Sequence, residues 1–159
     1  MDKRWRIGAA TAALLFLLSS CGWAPQDTQK ALERMEGVVS VIGSSQITSD
    51  RDLIGQRIQG EDDYTGSYTA AGYIAGGRDV IFGGASLRPR DLHLTGWAKR
   101  EQGEARLRVR EGSEARYIEP DAYGGYDVLL TLDSGGLYIM MDYQEFGGCV
   151  ELTVVPAEE

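Results

Sequence analysis

The chain predicts an all-β fold: an antiparallel β-sandwich, with a partly closed barrel as the alternative, behind one short N-terminal helix. Three observations carry this. From Glu61 onward apolar and polar residues alternate with period two. Paired glycines at 76–77, 83–84, 124–125, 135–136 and 147–148 punctuate the alternation as turns and bulges. No helical periodicity interrupts it. Short strands joined without crossover helices stack as antiparallel layers.

The first 20 residues read as a leader rather than as part of that fold. Lys3, Arg4 and Arg6 precede an apolar run from Ile7 to Leu18, and small residues follow; this is the layout of an export signal. The run is too short for a spanning helix, which needs about 20 residues. The stretch Leu18-Ser19-Ser20-Cys21 resembles the lipobox of bacterial lipoproteins. The resemblance implies cleavage before Cys21, lipid on its sulfur, and a mature chain anchored to a membrane by its first residue. Two or more acyl chains suffice for durable anchoring. Gly22 stands where an aspartate would resemble an inner-membrane retention mark. The expected location is therefore the cell envelope: the outer membrane in a host with two membranes, the external face of the plasma membrane in a host with one.

Residues 21–29, polar and carrying Pro25, read as a tether. Within 30–60 the spacing predicts a short helix: Asp27 is a candidate cap, Ala31, Leu32 and Met35 share one face, and Gly37 ends it. Val38 to Gly43 reads as a brief β segment, and Asp50 to Gln59 as a short helix capped by Ser49 or Asp50. The sandwich domain is expected over 61–156. Its strands begin with Tyr64 to Ile74 and Asp79 to Phe82. Arg90 to Lys99 alternates with Leu92, Leu94, Gly96 and Ala98 inward and Asp91, His93, Thr95 and Trp97 outward. In 104–111 Ala105, Leu107 and Val109 face in while Arg106, Arg108 and Arg110 face water. The Gln102-Gly103 link predicts that these two segments form a hairpin. Arg116 to Ile118 adds an edge strand. Tyr126–Leu132, Leu137–Tyr143 and Cys149–Val155 predict a meander. Apolar residues on both sides of the first two of these predict central strands, or strands covered by the N-terminal helix. Residues 157–159 form an acidic tail.

Charge bounds the partners. Of 16 basic and 24 acidic residues, three and one fall in the leader, so residues 21–159 carry a formal charge of −10. That balance argues against nucleic acid and against electrostatic attraction to anionic lipid. Membrane contact is expected through the lipid alone. With Cys21 consumed, Cys149 has no disulfide partner in the chain and reads as a sheltered strand residue.

Candidate sites are few. Glu61-Asp62-Asp63 concentrates acids before a strand, and Asp62 and Asp63 are the candidate calcium ligands, although no EF-type loop surrounds them. His93 is the only histidine and lacks a Gly-x-Ser-x-Gly partner. Among the aromatics Trp97, Tyr117, Tyr123, Tyr126 and Tyr143, the expected ligand platform is Trp97, Tyr126 and Tyr143 with Asp127 beside them. The leading function is a non-catalytic binding or structural module of the envelope, with a glycan or an envelope protein as partner. The alternatives are a small hydrolase of wall or glycan material using Asp127, Asp142 and Glu145, or an inhibitor or chaperone-like partner of another exported protein.

Overall fold

The computed structural model describes residues 29–30, 33–36, 38, 45–132 and 135–157. The leader, Cys21, the tether up to residue 28 and residues 39–43 lie outside them. The chain divides into two compact units, Met1–Met35 and Glu36–Glu159. In the first, Gln29, Lys30 and Glu33 to Met35 are helical, a very short turn where the pattern predicts one. In the second, Glu36 and Val38 are helical too, so Val38 does not open the β segment expected over 38–43 and helical backbone occurs past Gly37. Among the described residues no helix is long and apolar enough to cross a membrane.

Over the described residues the second unit is an antiparallel sheet of six strands that does not close into a barrel. They are β1 (Gln56–Gln59), β2 (Gly66–Ser86), β3 (Arg90–Glu111), β4 (Glu114–Ile118), β5 (Gly125–Leu132) and β6 (Gly135–Pro156). The order is β1-β2-β6-β3-β4, with β5 on the same edge of β3 as β4 but against its first half, Arg90–Trp97. Three strands of 21 or 22 residues thus form the centre. They cannot run straight. Ser86 pairs with Gly135 at one end of β6, and Leu92 pairs with Pro156 at the other. Only residues 87–89 join β2 to β3, a reach of about 14 Å, whereas a straight strand of β6's length would measure about 70 Å. The three-stranded ribbon therefore folds over at its middle, and its two arms face each other as the layers of a sandwich.

The fold line runs through Gly72–Gly77, Arg100–Glu104 and Gln144–Gly148, which pair with one another across the ribbon. Register shifts interrupt β3 here on both sides of Gln102, and Glu145 takes a positive φ of 46°. Opposite it Gly103 sits at φ 61°, where a Cβ would lie 2.1 Å from the Glu145 carbonyl oxygen. Only glycine fits so tight a backbone approach.

Between the arms lies the core: Tyr68, Leu94, Leu152 and Val154 from one, Phe82, Leu107, Ile139 and Met141 from the other. The inward and outward sets of β3 are as the alternation predicts. Its connectivity is not. Segments 90–99 and 104–111 are one continuous strand, both halves paired to β6, rather than a hairpin. The predicted meander is absent too: β5 pairs with β3, not β6, and 137–143 runs on into 149–155 as a single strand. β6 is central, as its two apolar faces require. β5 is an edge strand that leaves Leu129 70% exposed, so its second apolar face is simply open. The helix expected over 50–59 is replaced by one turn and then β1. Ser49 opens that turn through its carbonyl, which accepts from the Asp52 and Leu53 amides, while its hydroxyl donates to the Asp52 carboxylate instead of capping a backbone amide.

Loop 45–55 is fastened to the sheet by a buried carboxylate. Asp79, fully buried on β2, accepts from the backbone amides of Ile54 and Gly55 at 3.0 Å each and from the Tyr68 hydroxyl at 2.5 Å. Tyr143 in turn donates to the Tyr68 oxygen at 2.8 Å. Each of these partners is a neutral donor, two backbone amides and a hydroxyl.

Candidate ligand-binding groove

The free edge of β3 changes partners along its length. β5 covers it as far as Trp97 and β4 covers it from Leu107. Between them, among the described residues, the Ala98–Arg106 stretch has no neighbouring strand on that side, and the β4–β5 loop, residues 119–124, overhangs the gap. The result is an open groove of about 750 Å³. Ala98, Ala105, Tyr126 and Phe146 form its floor, where the core reaches the surface. Lys99, Arg100, Glu104 and Arg106 of β3 form one wall, and Glu119, Asp121 and Tyr123 of the loop form the other.

Asp121 makes the loop rigid. Its carboxylate accepts from the Gly125 amide at 2.7 Å and the Tyr123 amide at 2.8 Å. Its carbonyl accepts from Gly124, and its own amide donates to the Gly125 carbonyl. Those amides, Gly125 first and then Tyr123, hold the carboxyl below the usual aspartate range. The Gly124 carbonyl accepts from the Ala98 amide at 2.9 Å, which ties the loop to β3. On this fixed turn Tyr123 projects into solvent, 96% exposed.

The predicted platform does not assemble. Trp97 (37% exposed) and Asp127 lie on the outer face of the first arm, where Asp127 pairs with His93 Nε2 at 2.7 Å. Tyr126 is buried and reaches only the groove floor; burial raises the pKa of its hydroxyl. Tyr143 is buried in the Asp79 network and its pKa too is raised, chiefly by burial. Neither ring offers a face to a ligand, because the same alternation that makes β5 and β6 strands turns both inward.

The acids proposed for hydrolysis are also kept apart. Asp127 is on the outer face of one arm and Asp142 on that of the other, while Glu145 sits on the fold line. Asp142 is bound by both Arg78 Nε and Nη2 and by the Tyr117 hydroxyl. Despite desolvation, the largest single influence and one that raises it, these hydrogen bonds and the charges of Arg78 and Arg108 bring its pKa below the ordinary value. A carboxyl so held is no proton donor at neutral pH.

Asp62 and Asp63, the candidate calcium ligands, have protein partners. Asp62 accepts from the Tyr64 amide, the Thr65 hydroxyl and Arg90, and Asp63 from Gln59. Among the described residues no three metal-ligating side chains converge. Cys149 is half-buried beside the fold line, and Cys21 lies outside the described residues. Tyr123, by contrast, is the most exposed of the five candidate rings, ahead of Tyr117 and Trp97. Its signal was local: an aromatic in a Pro-Asp-Ala-Tyr-Gly-Gly loop has no strand alternation to bury it.

No protein-family profile matches the chain, and no curated protein does. One solved structure with some similarity is a carbohydrate binding module (CBM6cm-2) from Cellvibrio mixtus lichenase 5A in complex with cellotriose. It is 11% identical, with 73% of this chain and 95% of that one covered, at a TM-score of 0.33. A superposition at that level establishes neither a shared architecture nor a shared site.

Proposed function

We propose that this chain is an exported envelope lipoprotein, anchored through Cys21, whose β domain holds a glycan in the β3 groove without transforming it. The observation that carries the ligand class is the groove's make-up. Three cations (Lys99, Arg100, Arg106) and three carboxylates (Glu104, Glu119, Asp121) line it, so no net charge selects an ion. An uncharged, polyhydroxylated ligand suits such a rim, since its hydroxyls can donate to the acids and accept from the bases. Tyr123, fixed by the Asp121 turn, supplies an aromatic face for the apolar C–H side of a sugar ring.

The test is a glycan array probed with the mature chain, followed by calorimetry on any hit. Tyr123→Ala is expected to weaken binding by roughly tenfold, the loss of about 1.4 kcal/mol of ring contact. The melting temperature should not move, because the ring is solvated. No binding to any envelope glycan would refute the ligand class. Shortening of a bound oligosaccharide, abolished by Glu104→Gln, would replace the reading with the hydrolytic one. The anchor is tested separately: the mass of the native product must show an acylated Cys21, and Cys21→Ser must release the chain from membranes.

A further inference from the structure

The strongly negative total charge conceals a segregation of charge between the two outer faces. On the first arm, outward positions hold Asp91, Asp127 and Glu151 against one cation, Lys99. On the second, Arg78, Asp142 and Arg106 form one row across β2, β6 and β3, and Arg108 and Arg110 continue along β3. With Glu104, which precedes Arg106 on the same side of β3, that face carries four arginines and two acids. The array is also stiff. Asp142 takes both Nε and Nη2 of Arg78 and lies 3.9 Å from Arg108. The Tyr117 ring lies under Arg106 at 3.8 Å and under Arg108 at 5.8 Å, and Tyr138 lies under Arg110 at 4.3 Å.

The chain also enters the folded unit on this side. Gln46 accepts a hydrogen bond from Arg110, and Glu36 pairs with Arg88, just beyond the end of β2, at 2.8 Å. Cys21 lies 15 residues before Glu36 in the sequence, a reach of at most about 50 Å. We infer that the arginine face of the second arm docks on the anionic phospholipid headgroups of the membrane that holds the anchor. The inference rests on the lipoprotein reading proposed above. At physiological salt, charges more than about 8 Å from the surface are screened, so the local face outweighs the distant acids. Guanidinium groups held flat on tyrosine rings are suited to headgroup phosphates. With this face on the bilayer, the acidic outer face of the first arm points away from it.

The experiment is co-sedimentation of the unlipidated mature chain, Cys21→Ser, with vesicles of phosphatidylcholine alone or with added phosphatidylglycerol. Binding roughly tenfold stronger to the anionic vesicles is expected, with loss at high salt. Arg106→Glu and Arg106→Gln should both reduce it to the neutral-vesicle level, and Arg106→Lys should retain most of it. Lys99→Glu, an equal charge reversal off this face, should leave it in place. Equal binding to both vesicles, no binding to either, or equal losses in Arg106→Glu and Lys99→Glu would overturn the inference. Mass analysis of Cys21 in the native product decides the anchor independently, so the two failures remain distinguishable.

Discussion

Replacing Asp79 by alanine tests the account of how loop 45–55 is held. The substitution strands the backbone amides of Ile54 and Gly55, whose partners among the described residues are the Asp79 oxygens at 3.0 Å. The Tyr68 hydroxyl keeps its hydrogen bond to Tyr143 and so suffers less. A stranded, partly buried donor costs about 1–3 kcal/mol. Two of them, less some relief from no longer burying a carboxylate, give a loss of about 4 kcal/mol. Asp79→Asn keeps one acceptor but turns an NH2 toward a backbone N–H, and should cost about 2 kcal/mol. Against the 5–15 kcal/mol typical of a small domain, the alanine variant should sit close to unfolding at body temperature. Equilibrium urea unfolding at pH 7 measures the difference, and hydrogen exchange should show the Ile54 and Gly55 amides opening first. An alanine variant within 1 kcal/mol of the parent would refute the reasoning, since buried donors would then have found water or new partners at no cost.

Buried tyrosines set an alkaline limit. Burial pushes Tyr64 up to about 12 against the opposing pull of Arg90, and pushes Tyr68, Tyr126 and Tyr143 up as well. Unfolded tyrosine ionises near 10, so the contribution of these groups is full below about pH 10 and is lost as pH rises through the folded values. Melting temperature should stay level from pH 7 to 9 and fall above 10, with phenolate absorbance rising in step; a flat profile to pH 12 would contradict the burial. Gly103→Ala should prevent stable folding, because its Cβ meets backbone at 2.1 Å, whereas Gly72→Ala, at φ 101° with open space around it, should cost only about 1–2 kcal/mol of local strain. Asp127→Asn, which weakens an exposed pair with His93, should change urea stability by less than about 1 kcal/mol.

Why the alternation was legible and the connectivity was not follows from β3. Leu92, Leu94, Gly96 and Ala98 point inward at even positions, and Ala105, Leu107 and Val109 point inward at odd ones. A turn between two strands and a bulge within one strand both produce that change of parity, and both attract glycine. The sequence of β3 by itself does not distinguish them. The deciding fact is remote: Ala98 pairs with Val150 and Ala105 with Tyr143, both on β6. β6 shows the same change, from odd inward positions at Leu137, Ile139, Met141 and Tyr143 to even ones at Phe146, Val150, Leu152 and Val154. Two strands that switch parity at facing points are two strands bending together. That joint signature, unlike either break alone, identifies a ribbon folded into a sandwich.

The groove follows from the same geometry. A ribbon that folds over stretches its free edge at the fold line, and no single flat strand can cover both arms of β3. Two short strands, β4 and β5, each cover one arm and leave the Ala98–Arg106 stretch between them unpaired. The opening is thus a consequence of the bend, and the loop that must cross it, residues 119–124, lines the groove outside the regular strands. A residue on that loop is expected to meet a ligand, and one on a regular strand is expected to pack. Tyr126, inward with Leu130 and Leu132, obeys the strand rule and is lost to the core. Tyr123, three residues earlier and held out by the Asp121 turn, obeys the loop rule. If Tyr126→Phe, which removes only a buried hydroxyl, weakened glycan binding more than Tyr123→Ala, the division of labour between bend and loop would be wrong.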